Sequence, residues 1–359
     1  MKIVIGLGAL AGIALLSLFL WSTGDPSTEL LDSSGAPLVA AGTQANPSAK
    51  DAESLFASAR QKLTQGRFAE AKQELLGILE AEQQDGTACV LLSHASRELR
   101  QVEEAVDYGL KAVQLMPEHA PAHLAYARAL GVQLMTGFDG VGGMLKALPR
   151  IRRFKQELEL VVQYDPQDTE ARTMQVFAAM APVVGDADQA LRVAREIEAI
   201  DGLLGKKMLA YALSHKGDLE AAIEVCRAGM GEHPQENGLP LILAGLYRDQ
   251  ERLELAREAF ARVRELGPRN EDYHLSMIKQ ADMQLAAGVH GEESLQLMQE
   301  FIAARPVGDW IPSKAEAQYL LGAALQGLGR SDEAREAFLE SLRLQPGHKR
   351  ATQALASLE

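Results

Sequence analysis

The sequence predicts an all-α protein, an α-solenoid of about eight helix–turn–helix repeats closed by one further helix. Three observations carry this prediction. The first is a recurring mark: an Ala, a bulky apolar residue four positions later, and a Pro eight positions after that. Ala256, Phe260 and Pro268 show it, as do Ala334, Phe338 and Pro346. The second is period, because successive Pro positions cluster near 34 residues apart. The third is a small residue in the helix before six of the eight marks, at Ala59, Ser93, Ala127, Ala210, Ala244 and Gly322. Residues four apart share a helical face, and a small side chain lets two helix axes approach closely. Proline cannot continue a helix, so it stands at the break between repeats.

Taken in order, repeat one carries Ala71 and Leu75, with Gln83 in the Pro place. Repeat two carries Ala105, Gly109 and Pro117. Repeat three has Phe154, Leu158 and Pro166 without the Ala. Repeat four has Ala190, Ala194 and Gly202. Repeat five has Ala222, Cys226 and Pro234, and repeat six is the Ala256 set. Repeat seven has Ser294, Met298 and Pro306, and repeat eight is the Ala334 set. The spacings between Pro positions are 34, 49, 36, 32, 34, 38 and 40, so the 49 marks an insertion of about 15 residues in repeat three. Its Gly-rich part, Gly137 to Gly143, reads as a loop or broken helix. Gly66, Gly217 and Gly329 stand at turns between paired helices. Lys349 to Leu358 places Ala351, Leu355 and Leu358 on one face and reads as a capping helix, since the last repeat needs a lid.

The mark and its period resemble the tetratricopeptide repeat, a helix–turn–helix unit of about 34 residues. The resemblance implies a right-handed superhelix that presents surfaces to partner proteins and does no chemistry. It also implies that first helices line the concave groove. Carried over position by position, the groove residues are Arg60, His94, Arg97, Arg128, Lys207, Tyr211, His215, Arg248 and Tyr319. A peptide with acidic groups is the ligand class such residues suit. The paired Lys and Asn of the clamp that grips chaperone C-terminal carboxylates are missing, so that specificity is not implied.

The N-terminus is of a different kind. Lys2 precedes a charge-free apolar run from Ile3 to Trp21. Nineteen residues at about 1.5 Å per residue come close to a bilayer core of about 30 Å. Residues 1–23 thus read as a transmembrane anchor or a signal peptide, and the length favours the anchor. Lys2 ahead of the run favours a cytoplasmic start. The repeats would then lie outside the cytoplasm, in the periplasm of a Gram-negative cell; after signal cleavage the chain would be secreted. Residues 24–50, rich in Ser, Gly, Pro and Ala, read as a flexible linker, and residues 51–359 as the solenoid.

Composition narrows the function. Net charge is −13 and the best basic cluster is only Arg150-Ile151-Arg152-Arg153, which argues against nucleic acid as partner. The two cysteines, Cys89 and Cys226, fall on inward-facing positions and read as buried thiols. No catalytic, metal or cofactor motif is present. His119 and His123 are four apart, but Pro121 between them makes a helix start a better reading than a metal pair. Pro182 should end or kink the first helix of repeat four, and Asp186 and Asp188 read as helix caps rather than Ca²⁺ ligands. The expectation is a non-catalytic, membrane-tethered scaffold assisting an envelope assembly of the secretion, pilus, cytochrome-maturation or polysaccharide type. The alternative is an accessory subunit that holds a small solute or regulates a partner enzyme or transporter.

Overall fold

A computed structural model describes residues 47–81, 84–135, 140–181, 185–267, 270–306 and 311–358. Among them lie seventeen α-helices and no strand. Eight helix pairs and a closing helix account for all of them. They are α1 (Pro47–Thr64) with α2 (Phe68–Ala81), α3 (Gly86–Glu98) with α4 (Val102–Leu115), α5 (Ala120–Met135) with α6 (Gly140–Tyr164), and α7 (Thr169–Ala179) with α8 (Ala187–Ile200). Then follow α9 (Gly202–Lys216) with α10 (Leu219–Glu232), α11 (Gly238–Asp249) with α12 (Leu253–Leu266), α13 (Glu271–Ala286) with α14 (Gly291–Ala304), α15 (Lys314–Gly327) with α16 (Ser331–Leu344), and the cap α17 (Lys349–Ala356). The chain divides into two compact bodies at Gly202 and Leu203. The N-terminal body holds the first four pairs and the C-terminal body the rest.

The recurring mark is the packing core of each pair. Ala71, Leu75, Ala105, Leu158, Ala190, Ala194, Ala222, Cys226, Ala256, Phe260, Met298, Ala334 and Phe338 are all fully buried. Two glycines show why small residues recur. A Cβ on Gly109 would stand 2.8 Å from the Tyr126 backbone, and one on Gly322 would stand 2.6 Å from the Phe338 ring. Repeat seven has Ser294 in the Ala place for a visible reason. Its hydroxyl donates to Gln284 Oε1 at 2.8 Å, and Gln284 Nε2 donates to Glu293 at 2.7 Å, so a fully buried amide is satisfied. Ser294→Ala alone should therefore cost about 1–3 kcal/mol by orphaning that oxygen, and Gln284→Leu added to it should restore most of the loss. Urea titration of the three variants checks this.

The turns within pairs share one geometry. Gly66, Gly217 and Gly329 take φ of 72°, 91° and 76°, the left-handed conformation that ends a helix. Arg100 and Glu251 occupy the same place at 62° and 59°. Their backbone bonds match too: Glu251 N donates to Arg248 O and Arg252 N to Tyr247 O, each at 2.9 Å. A side chain at this φ is strained, so Glu251→Gly should stabilise the C-terminal body by roughly 0.5–1 kcal/mol. A rise in urea midpoint at unchanged slope is the expected reading.

Several expectations need correction. Helix begins at Pro47, inside the segment read as linker to residue 50; Pro is tolerated in a first helical turn. Gly140 to Gly143, read as loop or broken helix, lie within α6, while residues 136–139 fall outside the described set. The insertion thus lengthens the second helix of repeat three to 25 residues, against 14 in the second helices of the other seven repeats. Pro149 is accommodated inside it.

Other expectations match the structure. The first helix of repeat four ends at Ala179, and Asp186 caps α8 by accepting from the Asp188 and Gln189 amides. Both cysteines are buried and free, and burial pushes the Cys226 thiol up to about 12. Ala351 of the cap is buried, and Leu355 and Leu358 pack against the core that holds Ala334 and Phe338.

Candidate first-helix wall of the C-terminal body

The nine groove residues fall in two sets. Arg60, His94, Arg97 and Arg128 belong to α1, α3 and α5 of the N-terminal body. Lys207, Tyr211, His215, Arg248 and Tyr319 belong to α9, α11 and α15 of the C-terminal body.

In the N-terminal body these side chains mostly serve the fold. Arg97 Nη2 donates to His94 Nδ1 at 3.0 Å and to Glu98 at 3.0 Å, and the Phe68 ring meets His94 edge-on. His94 and Arg97 are buried. Arg128 holds Glu170 of α7 with both arms of its guanidinium, Nε to Oε1 at 2.6 Å, and is itself buried. Such a fork tolerates little departure from its geometry. Arg60 packs its guanidinium over Phe56. His123, one of the pair tested as metal ligands, lies in α5 and binds Glu157 and the Pro117 carbonyl. His119 precedes the helix, as expected.

The C-terminal body is different. Its first helices carry half-buried stripes in one register: Lys207, Tyr211 and His215 in α9, Leu241 and Gly245 in α11, Asp272, Leu275, Lys279 and Asp282 in α13, and Tyr319 and Ala323 in α15. Consecutive first helices α11, α13 and α15 touch one another, so these stripes form a wall. Lys207 crosses the start of α11, where Gly238 has no Cβ to obstruct it; a Cβ there would stand 2.9 Å from Nζ. Its Nζ meets Glu236 Oε1 at 2.5 Å. Burial pushes the Glu236 carboxyl up, but Lys207 and the Gly238 amide outweigh it and hold it below the usual range. At the other end Arg350 of the cap lies over the Tyr319 ring at 4.4 Å and reaches Asp282 and Glu316, each at 2.6 Å. His348 stacks on Tyr319 with centroids 5.5 Å apart. Tyr319, expected in the groove, is therefore roofed by the chain's own cap.

Between these ends the wall is open. A Cβ on Gly245 would touch nothing within 4 Å. Burial raises the Tyr211 hydroxyl's pKa, with Asp272 adding to it, and burial lowers that of His215. Burial, and then the nearby Arg248 charge, lower the pKa of the Lys279 ammonium. Among the described residues no hydrogen bond or ion pair holds Lys279, while Arg248 binds only its neighbour Asp249, at 2.7 Å. Lys279, Asp272 and Asp282 were not among the residues read from the sequence. Their signal was the repeat register itself, counted forward from Glu271 into the divergent repeat seven. With Lys207, Arg248 and Arg350 paired in cis, the wall is of mixed sign rather than basic. Among the described residues no three His, Cys, Asp or Glu side chains are placed to hold a metal ion.

Residues 315–348 match the family model described as Tetratricopeptide repeat. That is α15, α16 and the turn to the cap. The fold is of the tetratricopeptide-repeat type.

The crystal structure of yeast Tom70 aligns over 97% of this chain and 68% of that chain, with TM-score 0.65 at 13% identity. The human IFIT1 dimer with m7Gppp-AAAA aligns over 96% and 84%, with TM-score 0.51 at 14% identity. Identities this low speak for the fold alone. No curated protein matches the chain. Tetratricopeptide repeats thus supply the scaffold here, and the wall supplies the features particular to this chain. The membrane anchor read at residues 3–21 lies outside the described residues. Among those described, no helix is long and apolar enough to cross a membrane.

Proposed function

We propose that the chain is a non-catalytic protein-interaction scaffold whose docking surface is the first-helix wall from Tyr211 to Lys279. One observation carries the reading: the wall holds an ammonium with no hydrogen bond or ion pair among the described residues, beside an open glycine and the half-buried Leu241 and Leu275. By contrast, Arg128 is bound to Glu170, Lys207 to Glu236 and Arg350 to Asp282, carboxylates of the same chain. A desolvated, unpaired ammonium is unfavourable in the free protein and is relieved by a partner's acceptor. The half-buried Leu241 and Leu275 beside it suit the apolar part of an extended or helical segment.

The tether completes the proposal. Residues 3–21 anchor the chain, residues 24–46 give reach, and the repeats lie outside the cytoplasm, where they assist assembly of an envelope complex. Support comes from the length and charge pattern of the N-terminal run. Affinity purification of the full chain from its own membranes in mild detergent tests the reading. One partner should co-purify with wild type and drop at least tenfold with Lys279→Glu, the melting temperature being unchanged. Equal recovery with both would discard the wall as the docking surface.

A further inference from the structure

Where α14 ends and α15 begins, the C-terminal body holds a cavity of about 240 Å³ that the first-helix wall does not use. Among the described residues its floor is apolar, made by Phe301, Ile302, Ile311 and two prolines. Phe301 is 2% exposed, and Ile302 and Ile311 pack against the same core. Arg305, Ser313 and Lys314 complete the lining, and all three are exposed, so they mark its mouth. Neither cation has a hydrogen bond or ion pair among the described residues. The last acid of α14 and the first of α15 are already engaged. Glu300 accepts from the Tyr273 hydroxyl at 2.8 Å, and Glu316 meets His348 and Arg350. Arg305 closes α14 in left-handed backbone, with φ at 47°, a strained conformation of the kind that clusters at ligand sites. α15 begins at Lys314, so the positive end of its dipole lies at the same mouth.

We propose that this cavity binds a small unbranched monocarboxylate, its tail on Phe301, Ile302 and Ile311 and its carboxylate between Arg305 and Lys314. Volume sets the size. At about 30 Å³ for each water-sized group, the cavity holds about eight such groups. A seven-carbon tail fills it and leaves the head at the mouth. Charge sets the head. The chain carries −13 and repels anions as a whole, but screening over about 10 Å leaves the local pair of cations in control. A carboxylate there makes charge-assisted hydrogen bonds, which an uncharged head would not. The site is independent of the docking wall and stands if that reading fails.

Isothermal titration of the full chain in mild detergent tests this, with a chain-free blank for the detergent's share of the heat. Wild type should bind sodium octanoate saturably, with a dissociation constant on the order of 0.1 mM for a ligand of about ten heavy atoms. Butyrate, with three tail carbons, should bind at least tenfold more weakly, and octylamine should not bind. Acetyl-alanyl-leucine separates a free acid from a peptide terminus; its four-carbon side chain fills half the cavity, so it too should bind at least tenfold more weakly. Arg305→Glu with Lys314→Glu should reverse the preference, losing octanoate at least tenfold and taking octylamine. Both side chains are exposed, so the melting temperature of that variant should match wild type. The proposal is overturned by no saturable heat with octanoate, by equal uptake of octylamine by wild type, or by tighter binding of the dipeptide. A double variant that keeps octanoate or refuses octylamine overturns it as well.

Discussion

Glu157→Ala is expected to destabilise the N-terminal body by about 3–5 kcal/mol, because it leaves a charged histidine buried without its partner. Glu157 is 0% and His123 2% exposed. His123 Nδ1 lies 2.5 Å from Glu157 Oε2, and Nε2 lies 2.9 Å from the Pro117 carbonyl oxygen. Two acceptors on one ring require two N–H donors, which is the imidazolium. Arg153 Nε stands 2.5 Å from the second Glu157 oxygen, and Tyr164 stacks on the imidazole. Burial pulls the His123 pKa down, but the Glu157 and Pro117 bonds outweigh it and leave it raised above 6.5. The sign follows. Stability from this ring is complete below about 6.5 and is lost as pH rises through the higher folded value. Melting of wild type should therefore fall as pH rises from 6.5 through that folded value. The His123→Leu, Glu157→Leu double variant should recover most of the stability lost by Glu157→Ala and show no such fall, because apolar groups of similar size need no partner. Thermal scans from pH 6 to 9 on the three proteins separate these outcomes.

Phe260→Ala is expected to cost about 3–5 kcal/mol in the C-terminal body. The ring is 0% exposed and sits among Ala222, Cys226, Ala244 and Ala256, which are also fully buried. Ile223, Leu243, Tyr247 and Met283 belong to the same cluster, so losing the ring opens a cavity in a closely packed core. Leu339→Ala on α16 is the control: that leucine is 50% exposed, so its loss should stay within about 0.5 kcal/mol. Denaturant titration of both variants reads the contrast. Similar losses for the two would show that the recurring mark is not the packing core.

The fold was legible where sterics alone decide the residue. Gly109 and Gly322 stand where another helix comes too close for a Cβ, and Ala256 with Phe260 fills the gap within a pair. Such constraints recur at each repeat and so appear as a period. Gly140 to Gly143 misled because glycine disfavours helix by only about 1 kcal/mol per residue, and the rest of α6 outweighs that. The wall was half legible. Position within the repeat located Lys207, Tyr211, His215 and Arg248, but it does not reveal ion pairing between helices. Arg128 meets Glu170 42 residues away and Arg350 meets Asp282 68 residues away. Those pairings decide which cations remain for a partner, and they exist only once the helices are stacked. Lys279 was missed because repeat seven departs from the mark at Ser294, which hid the register of α13.

The most direct measurement of the docking claim is photo-crosslinking from the wall itself. Benzoylphenylalanine placed at Gly245, where space is open, should join the chain to one protein in intact membranes. The same group at Glu336 on the outer helix α16 should not. Adding Leu275→Arg should remove the Gly245 product without lowering the melting temperature. A product formed equally from Glu336, or one that survives Leu275→Arg in the folded protein, would contradict the wall as the surface that receives a partner.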